Sequence, residues 1–103
     1  MVNLFVDDIR EHPNDGREWL VARHYRDAIE ILVKEEGNIE ILSLDHDLGS
    51  GCPTGYQIAL WLEEKVNKED YKIPKRFRCH SMNPVGKQNI HACYRAIMKK
   101  VKG

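Results

Sequence analysis

The chain has 103 residues, 42% of them apolar and 31% charged, with 16 Lys plus Arg against 16 Asp plus Glu. That length suits one domain, residues 1–103, large enough to bury its own core. The balanced charge excludes a global field for nucleic acid or an acidic membrane, although a local basic patch stays allowed.

No stretch approaches the roughly 18 apolar residues of a membrane span. Val2–Val6 is a short apolar run that stops at Asp7-Asp8, as expected of a central parallel strand buried on both faces. A strand with an acidic end is not a signal peptide. Ile9 to Arg17 has no helical period, and Pro13-Asn14-Asp15-Gly16 is turn chemistry, so this stretch reads as a loop. Glu18 to Arg23 holds a second short strand, Trp19-Leu20-Val21-Ala22. Tyr25, Ala28, Ile29, Leu32 and Val33 then follow the spacing of a helix with one buried face. Gly37-Asn38 ends that helix with residues that tolerate positive φ.

Ile39 to Leu44 is a third strand and leads into Asp45-His46-Asp47. Leu48 to Pro53 is a glycine-rich loop. Thr54 and Gln57 form a capping box for a helix running to about Asn67, with Ile58, Ala59, Leu62 and Val66 inward. Lys68 to Lys75 is a connection. Arg76-Phe77-Arg78-Cys79 alternates charged and apolar residues, as a half-exposed edge strand does. Asn83-Pro84 caps a last helix that extends to about Val101, with Ile90, Cys93, Tyr94, Ile97, Met98 and Val101 on one face. Cys52, Cys79 and Cys93 are an odd number without metal-like pairing, which suits free thiols in a reducing cytoplasm.

Strands alternating with helices predict an α/β fold: an open three-layer α/β/α sandwich around a mostly parallel four-stranded sheet. Right-handed crossovers allow the order 2-1-3-4. Strands one and three are then neighbours at a switch point, where open α/β sheets bind ligands at the strands' carboxyl ends. Asp7, Asp8, Asp45 and Asp47 fall at that edge, with His80 beside them.

Like charges this close need a counter-ion or raised pKa values. A hard cation such as Mg²⁺ or Mn²⁺ on Asp7, Asp8 and Asp45 answers that need; simple solubilisation of strand ends is the plain alternative. His80 is either a general acid or base or a structural residue. His46, between Asp45 and Asp47, either acts directly or orients its neighbours. Ser81, Asn83 and Lys87 surround a strand-to-helix turn that either cradles an anion or is an ordinary cap. Arg10 either clamps a phosphate or pairs with Asp8. Acids, a metal, a histidine and an anion cradle together suit phosphoester chemistry.

Asp7-Asp8 after the first strand, Asp45 after the third and Ser81 after the fourth resemble the acidic pocket of response-regulator receiver domains. The receiver's first helix is replaced here by a loop, its last strand and helix are absent from the pattern, and its lysine has no counterpart. A closer resemblance covers almost the whole chain. Leu4-Phe5-Val6-Asp7-Asp8-Ile9-Arg10 through Pro13, Ser43-Leu44-Asp45-His46-Asp47-Leu48-Gly49, Thr54-Gly55-Tyr56 and His80-Ser81-Met82-Asn83-Pro84-Val85-Gly86 are similar to the cyclic-phosphate-processing receiver-like domains of bacteria and phages. The resemblance implies a truncated, flavodoxin-like receiver fold with a reused pocket.

The resulting expectation is a hydrolase that opens a cyclic phosphate on a nucleotide or an RNA end. Asp45, His80, Asp47 and His46 are the catalytic candidates. Arg10, Ser81, Asn83 and Lys87 are the phosphate-binding ones, and Asp7, Asp8 and Asp45 the metal-holding ones. The expected partner is a small phosphorylated ligand or RNA end, with no extended nucleic-acid surface and no membrane. The alternatives are a non-catalytic receiver-like module that binds a cyclic nucleotide or a protein, and a phosphoacceptor at Asp45.

Overall fold

A computed structural model describes residues 1–8, 10–45, 55–80 and 84–102. The three apolar runs and the alternating segment Arg76–Cys79 each form a strand. These are β1 (Val2–Val6), β2 (Trp19–Ala22), β3 (Ile39–Leu44) and β4 (Arg76–Cys79). They build one sheet, all parallel, in the order 2-1-3-4. Between and after them run α1 (Tyr25–Lys34), α2 (Gly55–Glu69) and α3 (Pro84–Lys102). Among the described residues no helix is long and apolar enough to cross a membrane.

Alternation along the strands decides which side chains meet the helices. Leu4 and Val6 of β1, with Leu42 and Leu44 of β3, join a core with Ala28 and Leu32 of α1, Ile58 and Leu62 of α2, and Ile90 and Ile97 of α3. All three helices therefore pack on one face of the sheet. Burying each such Leu or Ile stabilises the fold by about 1.5–3 kcal/mol. The buried Tyr71 hydroxyl donates to the Leu32 carbonyl and so ties the chain after α2 to α1.

The two outer layers are unequal. Asn3, Phe5, Ile41 and Ser43 are buried on the opposite face, which carries no helix among the described residues. Loop residues and rings close it instead. Asn3 Nδ2 donates to the Glu18 carbonyl at 3.1 Å. The Phe5 ring meets Trp19 edge-on at 5.9 Å. Asp15 organises the loop: its carboxylate accepts from Trp19 Nε1 at 3.1 Å and Arg17 Nη1 at 2.8 Å. Those bonds hold its pKa down at about 2, Trp19 being the largest cause.

Two expectations about inward faces fail. Val33 and Val101 are 57% and 52% exposed. Val33 lies to one side of the core-facing stripe of Ala28, Ile31 and Leu32, and Val101 stands in the last turn of its helix. Helix α2 runs two residues beyond Asn67, to Glu69. Gly37 has φ 78°, the left-handed conformation the sequence implied. The Thr54 cap and the 48–53 loop lie outside the described residues.

Leu42→Ala, which empties a wholly buried position, is expected to cost about 2–5 kcal/mol. Leu60→Ala, at a position 40% exposed, should stay within about 0.5 kcal/mol. Urea denaturation midpoints check both. In an NMR titration the Asp15 carboxyl should have its midpoint near 2 and move up toward 3.8 in Trp19→Phe.

Candidate functional site

Parallel register builds the site. β1 pairs with β3 at Val6↔Leu44, and β3 with β4 at Leu44↔Cys79. One step further along each strand stand Asp7, Asp45 and His80. The ladder continues through them: the Asp45 N–H donates to the Val6 carbonyl at 3.0 Å, and the His80 N–H to the Leu44 carbonyl at 3.1 Å. Residues at one register depth share a face, and neighbouring strands lie about 4.8 Å apart. One ligand atom from each of Asp7, Asp45 and His80 accordingly lies within 4.8 Å of the others. Arg23 follows Ala22, the partner of Val6 on β2, and extends the row. Its guanidinium donates to the carbonyls of Asp7 at 3.2 Å and Arg10 at 2.7 Å, bracing the chain that leaves β1.

His80 and Asp7 belong to strands separated by β3, roughly 9.6 Å apart at the backbone. The imidazole closes that gap by lying across β3. It stacks on Phe5 with ring centroids 4.3 Å apart and planes 12° from parallel. The residue beneath it on β3 is Ser43, small enough to leave room. Ser43 Oγ lies 2.7 Å from His80 Nδ1. His80 Nε2 lies 3.0 Å from Asp7 Oδ2.

The Asp7 side chain is only 2% exposed, so its carboxylate needs donors. The Arg10 backbone N–H supplies one to Oδ1 at 2.8 Å, and Arg10 Nε stands 3.9 Å from Oδ2. A carboxylate only accepts, so the neutral imidazole carries its proton on Nε2 and takes a hydrogen bond from the Ser43 hydroxyl at Nδ1. Burial pushes the His80 pKa below 6.5; the hydrogen bond to Asp7 and its charge oppose that shift, and Arg10 adds to it.

The sequence-predicted residues divide into three groups. Asp7, Asp45 and His80 converge. Asp8, next to Asp7 and half-buried, is not part of that group. Arg10, read from the sequence as either a phosphate clamp or a partner of Asp8, pairs with Asp7 instead of Asp8, and its Nη1 also donates to the His80 carbonyl at 2.8 Å. Its side chain stays 46% exposed at the mouth of the site. Lys87 is exposed in the first turn of α3, which begins at Pro84, four residues after His80. His46, Asp47, Ser81 and Asn83 lie outside the described residues. Sequence reasoning missed Ser43 and Arg23. The signal for Ser43 was a lone small polar residue in an otherwise apolar buried run; Arg23 offered none beyond its place at a strand end.

Among the described residues, Asp7, Asp45 and His80 are the group able to hold a cation. An imidazole among carboxylates fits Mn²⁺ better than Mg²⁺, which prefers oxygen ligands throughout.

In EDTA-treated protein, the His80 ring protons should titrate with a midpoint below 6.5 by NMR. Asp7→Asn should lower that midpoint further, and Arg10→Gln should raise it. The lowered value makes the folded state bind fewer protons than the unfolded one just below pH 6.5. Stability should therefore decline as pH falls through 6.5 toward the folded value, a loss that urea titrations at stepped pH would record. Ser43→Leu fills the space under the imidazole and should abolish the ring-current shift that Phe5 imposes on His80, whereas Ser43→Ala should retain it.

The family model for the cyclic-phosphate processing receiver domain matches residues 2–96. No curated protein and no solved structure matches the chain significantly. The match spans both acidic strand ends, His80 and most of α3, and the four parallel strands in the order 2-1-3-4 have the receiver's flavodoxin-like topology. The chain belongs to the cyclic-phosphate processing receiver domain family.

Proposed function

We propose that the protein is a hydrolase that opens a cyclic phosphate, on a nucleotide or at an RNA end, by adding water across one phosphoester bond. The observation that carries this reading is the row Asp7, Asp45, His80 at the carboxyl ends of three adjacent strands. The family's link to cyclic-phosphate processing agrees with it.

In this reading the water oxygen bonds to phosphorus and one P–O ester bond breaks. Asp45 takes the proton from water. The Asp7–His80 pair, joined at 3.0 Å, acts in its protonated form: the imidazolium gives a proton to the leaving oxygen, becomes the neutral imidazole, and regains a proton from Asp45 afterwards. Water's two hydrogens thus end on the freed hydroxyl and in solution or on the phosphate. Arg10 and Lys87 bind phosphate oxygens, joined by Ser81 and Asn83, and His46 and Asp47 orient the acids. A divalent cation, Mg²⁺ or Mn²⁺, held by Asp7, Asp45 and His80 with Asp8 nearby, would supply polarisation of a phosphoryl oxygen.

One observation favours a second reading. Both ring nitrogens of His80 already face protein atoms, Ser43 at 2.7 Å and Asp7 at 3.0 Å. A site so satisfied suits a module that binds a cyclic nucleotide without turning it over.

The two readings separate in one experiment. Purified protein is incubated with 2′,3′-cyclic and 3′,5′-cyclic nucleotides, with and without Mn²⁺ or Mg²⁺, and followed by ³¹P NMR. The hydrolase converts the cyclic resonance to a monoester, and His80→Ala slows that conversion by roughly 10²–10⁴-fold. A binding module returns the cyclic compound unchanged after denaturation. Turnover that survives in His80→Ala would remove the histidine from the chemistry.

A further inference from the structure

Net neutrality conceals a segregation of charge. All 16 carboxylate residues lie in positions 1–70, together with 7 of the 16 Lys and Arg. Positions 71–103 hold the other 9 Lys and Arg and no Asp or Glu. β4 is an edge strand and α3 follows it, and although α3 packs on α2, where Cys93 reaches Glu63 at 3.4 Å, the described cations of this last part face solvent. The pairing differs too. Arg10, Arg17, Arg23, Lys65 and Lys68 each lie within 4.0 Å of a carboxylate. Among the described residues, Lys75, Arg76, Arg78, Lys87, Arg95 and Lys99 form no ion pair, and all six are exposed.

Three of them line up along α3. Lys87, His91, Arg95 and Lys99 recur every fourth residue and form one ridge along α3. At 1.5 Å per residue the ridge is about 18 Å long, the span of about five stacked nucleotides. Two concavities run beside it and share His91 and Arg95. One extends toward Pro84 and Lys87, the other toward Lys75 and Phe77 of the β4 edge. Gln88, Asn89 and the half-buried rings of His91 and Phe77 sit among the cations. Amides and rings hydrogen-bond and stack with bases and have no comparable use against carboxylates.

We propose that the α3–β4 edge docks the phosphate backbone of a single-stranded nucleic acid, running toward the strand ends where Asp7, Asp45 and His80 meet. The proposal stands apart from the cyclic-phosphate reading, since it concerns the strand and not its end.

The test uses the full chain and a fluorescent single-stranded RNA of about a dozen nucleotides with a plain 3′-hydroxyl, read by anisotropy. Binding is expected at about 50 mM salt and should weaken roughly 50-fold by about 200 mM, as four phosphate contacts on a single strand imply. The triple variant Lys87→Glu, Arg95→Glu, Lys99→Glu should lose at least about tenfold in affinity and flatten the salt dependence, with its circular dichroism and urea midpoint unchanged. Arg26→Glu with Lys34→Glu, on α1, should leave affinity intact. Absence of binding at low salt, equal affinity in the triple variant, or an equal loss in the α1 variant would overturn the proposal. So would binding of anionic vesicles or polyglutamate as tight as that of RNA. A low-salt dimer by sedimentation that the triple variant abolishes would assign the edge to a second copy instead.

Discussion

The contact between His80 and Asp7, 3.0 Å across an intervening strand, is the constraint on which the site depends. Two side chains from non-adjacent strands meet only if three conditions hold. The strands must be parallel and in register, so that both residues lie at one depth. The strand between them must carry a small side chain one turn of the pleat below, which Ser43 provides. The imidazole must have a surface to lie on, which Phe5 provides at 4.3 Å. Asp45 then has no freedom to be elsewhere: it occupies the intervening position in the same row. A slip of one residue in either pairing would send a member of the row to the other face, so the buried alternation of Leu4, Val6, Leu42 and Leu44 protects the chemistry as well as the core.

Much of this could be read before any coordinates. Short apolar runs that end in charge marked three strands, the charged-apolar alternation of Arg76–Cys79 marked the fourth, and the 3.6-residue period marked the helices. The order 2-1-3-4 was one that right-handed crossovers allow. Asp7, Asp45 and His80 each stand one residue past a strand end, and that shared offset was visible. What the sequence hid was parity. Asp7 and Asp8 look equivalent as letters, but only Asp7 is in phase with Asp45 and His80. Ser43 looked like a tolerated polar residue, since its role comes from a histidine 37 positions later. Charge was hidden by summation: equal totals masked a first part rich in acids and a last part with none.

The unequal layers explain why the loop between β1 and β2 is organised so heavily. A receiver-like sheet whose second face carries no helix among the described residues must cover Phe5, Ile41 and Ser43 with something else. Asp15 gathers Arg17 and Trp19 onto itself, Trp19 meets Phe5, and His80 completes the cover from the other side. The histidine is therefore a roof for that face as well as the proton carrier of the proposed reaction. Loss of its side chain opens part of a hydrophobic face, so a stability measurement belongs beside any activity measurement on His80→Ala.

Ser43 resolves a tension in that double role. A residue that roofs a core should be fixed, and one that handles protons must change state. A hydroxyl both donates and accepts. It donates to Nδ1 when the imidazole is neutral and accepts from Nδ1–H when the ring is protonated, with no movement of heavy atoms. Asp7 accepts from Nε2–H in either state. The ring can thus gain or lose a proton, or turn Nε2 toward a cation, while keeping its stack on Phe5 and a hydrogen bond at Nδ1. An alanine at 43 would leave the space but remove the exchange. A buried asparagine would keep a polar partner but take the volume the ring needs. Among small side chains, serine supplies both the room and the reversible bond, and the geometry of the site follows from that one position.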